Sequence, residues 1–74
     1  MNGERLRELR KEEGITQIEL AEILDKTNGA ISAYETGRKN PSLEVLGELA
    51  DLFGVSTDYL MGREEAKNEQ ITGE

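Results

Sequence analysis

The side chains of this sequence that can do chemistry are amides, hydroxyls and cations. Its 74 residues include no histidine and no cysteine. The usual general base, the thiol nucleophile and the nitrogen and sulfur ligands of metals are therefore missing. The carboxylates are scattered along predicted helix surfaces, and the glycines form no P-loop or dinucleotide-binding motif. We expect a protein that binds rather than catalyses, with no cofactor and no metal.

One predicted helix, from Asn28 to Glu35, has unusual outward positions. Its buried residues would be Ile31 and Tyr34. Most exposed helices are solubilised by long Glu and Lys side chains, whereas this face carries small or amide-bearing residues. They are Asn28, Gly29, Ser32 and Ala33. Such a face can approach a DNA major groove closely, where Asn and Ser read base edges and Ala contacts a thymine methyl.

Two short capped helices would hold this face in place. Thr16 stands three residues before Glu19, which is the spacing of a capping box, and Thr27 can cap the second helix. Gly37 follows the second helix, where a left-handed C-cap is required. The apolar face of the first helix would consist of Leu20, Ala21, Ile23 and Leu24. With so short a connection and a shared apolar seam, the two helices must cross steeply, as in a helix-turn-helix.

These residues resemble the Cro/phage-repressor helix-turn-helix family, the xenobiotic-response-element (Xre) type of bacterial transcription regulator. The matching motifs are T-Q-x-E-L-A at 16–21, I-S-x-Y-E-x-G at 31–37, R-K-N-P-S at 38–42 and S-T-D-Y-L at 56–60. The similarity extends over residues 3–62. It implies an all-α, compact five-helix bundle of the lambda-repressor-like DNA-binding type, with the helix-turn-helix at helices 2 and 3.

The resemblance also implies double-stranded DNA as the partner and a role for several residues. Helix 3 would enter the major groove, Gln17 would direct its amide at a phosphate, and the loop after Gly37 would touch the sugar-phosphate backbone. A structural pair, Arg10 with Glu35, would fix the recognition helix against helix 1. The expected DNA-binding residues are Gln17, Thr27, Asn28, Gly29, Ser32, Ala33, Arg38, Lys39 and Asn40.

The remaining helices would complete the bundle. Helix 1 would span Gly3 to Glu13, helix 4 would run from the Ser42 cap to Phe53, and helix 5 would span Thr57 to Met61. Their inward residues would be Leu6 and Leu9 in helix 1, and Leu43, Leu46, Leu49, Ala50 and Phe53 in helix 4. Near the C-terminal end, core filling and homodimer contacts are both open for Val55, Tyr59, Leu60 and Met61.

The distribution of charge divides the chain into residues 1–62, a helix-turn-helix DNA-binding domain, and residues 63–74, a polar acidic tail that is disordered or extends the last helix. The net charge of −7 is unusual for a DNA-binding domain. Between Lys26 and Ser42, however, three cations accompany a single carboxylate. The tail carries two cations against four carboxylates, so the acid is placed away from the expected binding face.

Two alternatives to a plain repressor stay open. The same fold could serve as a protein-interaction module with weak DNA binding, or as an antitoxin that binds both an operator and a toxin. A regulatory protein partner is compatible with either. No apolar run approaches the 18 residues of a membrane span, no secretory signal is visible, and the lack of cysteine suits a reducing cytoplasm.

Overall fold

The structure is a computed structural model, and it describes residues 1–63. Five helices follow one another there: α1 Gly3–Glu12, α2 Gln17–Leu24, α3 Asn28–Thr36, α4 Leu43–Phe53 and α5 Thr57–Leu60. The predicted all-α, five-helix architecture is confirmed. The predicted helix ends differ by one residue, since α1 and α5 end earlier and α3 later. The tail prediction lies outside the described residues, except at Arg63.

Each of these helices begins with a side-chain cap. The N-cap oxygen accepts a hydrogen bond from the backbone N–H three residues later, and these caps are Asn2, Thr16, Thr27, Ser42 and Ser56. At α2, the Glu19 carboxylate also accepts a bond from the Thr16 backbone N–H at 2.8 Å, which completes the predicted capping box. Because the first N–H groups of a helix have no partner inside it, these caps fix where each short helix starts.

One aliphatic side chain from each helix is completely enclosed in the core. These residues are Leu6, Leu20, Ile31, Leu49 and Leu60. The four-residue helix α5 is therefore anchored by Leu60, which lies against the rest of the bundle. Of the two roles left open for Leu60, the structure shows core filling, because its side chain is fully buried within its own chain.

Two apolar residues that were expected to face inward lie at the surface instead. Ile23 is 55% exposed, because Leu20, Ala21 and Leu24 alone form the narrow contact face of α2. Leu43 is 85% exposed. It is the first residue of α4, and the helix reaches the core only from Val45 onward. The apolar seam of α4 is therefore shifted along the chain from the predicted one.

A three-residue turn joins α2 to α3. Asp25 adopts the left-handed conformation with φ 58° and ψ 46°, which Asp tolerates better than most residues. The Lys26 backbone N–H donates to the Ala21 carbonyl at 2.8 Å and closes the end of α2. Helix α3 then packs against both α1 and α2. The turn of the helix-turn-helix therefore forms with Asp25 in its left-handed position.

Two glycines with open surroundings test whether backbone conformation decides the effect of an added methyl group. A Cβ at Gly47, inside α4, or at Gly37, after α3, would meet no atom within 4 Å. We expect Gly47→Ala to raise the free energy of unfolding by about 0.5–1 kcal/mol, because alanine favours helix. Gly37→Ala should lower it by about 1–2 kcal/mol, because φ is +82° there. Urea unfolding followed by circular dichroism measures both, and shifts of the same sign would contradict the explanation.

Candidate nucleic-acid interface

The first two turns of α3 present a polar, sterically open surface. Asn28 and Gly29 are exposed, and Ser32 is half-buried. A Cβ on Gly29 would meet only the Thr27 hydroxyl oxygen, 3.9 Å away. That hydroxyl accepts the capping bond from the Ala30 N–H at 3.0 Å, so Thr27 is held at the helix start. A base edge or phosphate could therefore approach the α3 backbone closely here.

Ala33 does not belong to this open surface, contrary to the sequence-based expectation. Ala33 is only 8% exposed. The chain after α3 folds back on the last turn, where the backbone N–H groups of Arg38 and Lys39 donate to the Ala33 carbonyl at 3.0 and 3.2 Å. Ala33 lies with Ile31, Tyr34 and Glu35 among the buried residues of α3. The outward face of α3 is therefore narrower than predicted and consists of Asn28, Gly29 and Ser32.

The loop that follows α3 carries exposed cations. Arg38 and Lys39 are both exposed, and neither forms an ion pair with another residue in the range 1–63. Asn40 is exposed as well, and its side-chain oxygen accepts a hydrogen bond from the Met1 amino group at 3.0 Å. The sequence-predicted loop residues thus lie together at the surface, directly after the helix that would read bases.

A buried carboxylate connects α3 to the rest of the domain. Glu35 accepts a bond from Arg10 Nε at 2.6 Å and one from Arg10 Nη2 at 3.3 Å. The pair implied by the resemblance is present, and the Glu35 side chain is only 3% exposed. Arg10 Nη1 also donates to the Ile15 carbonyl at 2.9 Å, which holds the loop between α1 and α2. One arginine therefore fixes three parts of the chain relative to one another.

Gln17 is turned toward this carboxylate. Its amide Nε2 donates to Glu35 Oε1 at 3.0 Å, so the side-chain N–H that was expected to reach a phosphate has a partner inside the protein. The Gln17 backbone N–H lies at the start of α2, where helix N–H groups are available to an anion. One N–H of the Gln17 amide is therefore used inside the protein, while the backbone N–H at the start of α2 has no partner within that helix.

A shallow cavity of about 440 Å³ lies between the end of α1, the start of α2 and Asn28. Lys11 borders this cavity together with Gln17 and Ile18. Nothing in the local sequence pattern distinguishes Lys11 from ordinary solvated charge. Only the packing of α1 against the helix-turn-helix brings this cation beside Asn28.

Burial of Glu35 changes the charge that this part of the molecule exposes. It is the only carboxylate between Lys26 and Ser42, and it is paired with Arg10. The exposed charges of that stretch are therefore all positive. The other carboxylates of residues 1–63 belong to α1, α2, α4 and α5 and to the segments that follow α1 and α2.

At the opposite end of the chain, Val55, Tyr59 and Met61 are half-buried and pack against the core. The Arg5 guanidinium lies 4.2 Å from the centre of the Tyr59 ring. Part of the Tyr59 surface is therefore used within the chain, and the homodimer assignment of these three residues stays a prediction.

Within residues 1–63, no cluster of acidic side chains could hold a metal ion. None of the described helices is long and apolar enough to cross a bilayer.

Comparison with known proteins finds similarity along most of the chain. A helix-turn-helix family model matches residues 6–60. The HTH-type transcriptional regulator ImmR of Bacillus subtilis (strain 168) is 45% identical over 70 residues, which are 95% of this chain and 55% of ImmR. AnsR of the same organism, also an HTH-type transcriptional regulator, is 43% identical over 67 residues, 90% of this chain and 58% of AnsR. The immunity repressor protein of Bacillus phage phi105 is 32% identical over 68 residues, 92% of this chain and 47% of that protein. The chain thus spans about half the length of these curated relatives.

The Glu35 network predicts that a single substitution lowers the free energy of unfolding much more than a double substitution that removes both charges. Arg10→Met alone would leave a buried carboxylate without its cation, and we expect a loss of about 3–5 kcal/mol in the free energy of unfolding. Arg10→Met combined with Glu35→Leu should regain most of this loss, because no charge is then left unpaired. Urea unfolding measures both variants.

Arg7→Met is the matched control, since Arg7 is exposed on the same helix and should change stability by less than about 0.5 kcal/mol. A single Arg10→Met variant as stable as this control would mean that Glu35 is solvated and that the network does not hold α3.

Proposed function

The chain belongs to the Cro/phage-repressor helix-turn-helix family, and from this we propose that it is a DNA-binding transcription regulator. In our proposal it acts as a repressor, and two copies bind a palindromic operator as a homodimer. The observation that carries the proposal is the polar, open face of Asn28, Gly29 and Ser32 next to Arg38 and Lys39, two exposed cations that form no ion pair within residues 1–63.

The proposed complex places the start of α3 in the major groove. Asn28 is suited to bidentate hydrogen bonds with adenine, and the Ser32 hydroxyl can donate or accept. Gly29 lets the backbone approach the base pairs, because no side chain separates them. Thr27, whose hydroxyl oxygen is engaged by the cap, is suited to a contact with the adjacent backbone. These short side chains provide only a limited direct readout of sequence.

The DNA backbone would be held on both sides of α3. On one side, Arg38, Lys39 and Asn40 would contact sugar and phosphate, which positions the protein without reading sequence. On the other side, a phosphate would lie at the start of α2, where Gln17 and Lys11 border one cavity. The N-terminal half of α2 would therefore cross the backbone while α3 occupies the groove.

Few base contacts give limited sequence specificity, and dimerisation would add to it. A helix-turn-helix dimer binds two half-sites about 34–36 Å apart, so the spacing itself selects the operator. The half-buried Val55, Tyr59 and Met61 are our candidates for the contact between copies. The likeness to a protein named as a phage immunity repressor supports repression rather than another mode of regulation.

A protein-interaction or antitoxin module on the same fold is the second candidate. The net charge of −7 favours it, because a strongly anionic chain is attracted less to DNA. Titration of fluorescently labelled duplexes at two salt concentrations separates a regulator from a protein-only module. An antitoxin that also binds an operator would bind DNA in this titration as a repressor does. Our proposal requires salt-sensitive binding, and selection from a random DNA pool should then yield a two-fold symmetric sequence. A protein-only module would show no salt-sensitive binding to any duplex.

Asn28→Ala tests the assignment of base readout. Loss of the amide should relax the preference at one position of each half-site by about 1–3 kcal/mol of discrimination, while other positions keep their preference. Binding-site selection with the variant measures this. Asn40→Ala is the matched control, since it removes an exposed amide from the loop and should leave every base preference unchanged. An unaltered selected sequence for Asn28→Ala would refute its role in readout.

Arg38→Ala tests the assignment of phosphate contact. Losing one phosphate contact in each copy should weaken binding to all duplexes alike. It should reduce the log–log slope of affinity against salt by about one unit per copy, or about two units for the dimer on its operator. Arg63→Ala, which removes an exposed arginine after α5, should leave the slope unchanged. If Arg38→Ala impaired only the selected operator, the residue would read bases, and the backbone assignment would be wrong.

A further inference from the structure

The segment from Asn2 to Arg5, at the start of α1, contacts both the recognition helix α3 and the C-terminal helix α5. We propose that Gly3 is a positioning residue for DNA recognition. Its missing side chain sets how closely this segment approaches α3, and the same segment holds α5, so the recognition helix and the proposed dimer contacts are placed relative to each other. This inference rests on the proposed function.

The contact of Gly3 with α3 leaves no space for a side chain. Gly3 is buried, and a Cβ on it would lie 2.3 Å from the Glu35 carbonyl oxygen and 2.5 Å from the Tyr34 carbonyl oxygen. Both neighbours are backbone atoms of the α3 helix, so no flexible side chain can turn away to make room. Glu35 is at the same time fixed through its carboxylate by Arg10. Residues of α1 therefore contact Glu35 at both its backbone carbonyl and its side-chain carboxylate.

The same short segment is bonded to α5. The Asn2 backbone N–H donates to the Leu60 carbonyl at 2.8 Å. Two residues beyond Gly3, Arg5 Nη1 donates to the Tyr59 carbonyl at 2.9 Å, and its guanidinium stacks on the Tyr59 ring at 4.2 Å. A guanidinium on a tyrosine face is attracted by the ring quadrupole. These contacts flank Gly3 on both sides along the chain.

A methyl group at position 3 must therefore push the N-terminal segment away from α3. If the segment moves away from α3, it carries α5 with it through Asn2 and Arg5. If α5 stays in place, these bonds stretch or break. In the first case the proposed dimer contacts shift relative to α3, and in a dimer this shift appears as a change in the distance between the two recognition helices. In the second case α5 loses its bonds to the start of α1, so that distance is held less firmly. The preferred half-site spacing reports that distance.

The experiment uses the full chain and duplexes that carry the selected half-sites at the native separation and at one or two base pairs more or less. We expect Gly3→Ala to lose roughly tenfold in affinity at the native separation, a magnitude typical of residues that couple two sites. The loss should be smaller at another separation and on a single half-site. An unchanged optimum with affinity within about twofold of the original protein would overturn the inference.

Matched variants keep the result interpretable. Gly47→Ala adds the same methyl group where nothing lies within 4 Å, and it should leave the spacing preference unchanged. If Gly3→Ala does not fold, Arg5→Met decides, with exposed Arg7→Met as its control. Arg5→Met should broaden the spacing preference, whereas Arg7→Met should not. Equal spacing profiles for these two variants would overturn the inference.

A measurement without DNA separates this inference from the proposed function. In backbone amide spectra, Gly3→Ala should shift the signals of the last turn of α3 and also those of residues 57–61, whereas Gly47→Ala should affect only the surroundings of α4. Failure of the unmodified protein to bind any duplex would refute the proposed function, and the spectra would then decide whether α3 and α5 are coupled. Shifts confined to α3 would overturn the coupling.

Discussion

A buried carboxylate, that of Glu35, sets the position of the recognition helix, and most of the domain is arranged to satisfy it. Removing a charge from water costs several kcal/mol, which attraction to a partner offsets only when the geometry is good and the other lone pairs are bonded. Here Arg10 donates twice and Gln17 once. Such a network adds little net stability, but it penalises any displacement of α3, because each displacement leaves part of the charge unpaired.

The same interaction determines the electrostatics of the proposed interface. A chain with a net charge of −7 repels DNA at long range, so capture depends on the local field around α3. Pairing Glu35 with Arg10 inside the protein leaves Lys26, Arg38 and Lys39 as the exposed charges of that stretch. The interface is therefore locally cationic on an anionic molecule. In the proposed function, such a charge distribution attracts DNA weakly in general, and affinity depends more on the fit at the operator.

Features of the fold that depend on residues close together along the chain could be predicted from the sequence, and features that depend on distant residues could not. Capping residues and apolar periodicity act within four residues, so the caps at Thr16, Thr27, Ser42 and Ser56 and the helices that follow them were predictable. Periodicity says little about which residues in the first and last turns of a helix reach the core, which is why Leu43 and Ala33 were misplaced. The N-terminal contacts were not predictable. The role of Gly3 depends on carbonyls more than thirty residues away along the chain.

The short side chains of the recognition face explain why the domain holds α3 so firmly. A long, flexible side chain such as arginine can reach a base edge from a range of helix positions, and it compensates for a misplaced backbone. Asn28 and Ser32 cannot, since one or two bonds separate their polar groups from Cβ, and Gly29 contributes only backbone. Productive contact then requires the helix itself to lie at the correct depth in the groove. A carboxylate with three donors at the end of α3, and a glycine packed on the same turn, restrict that depth from inside the protein. In the proposed complex, the fixed position of α3 thus compensates for side chains that are too short to reach a base from any other helix position.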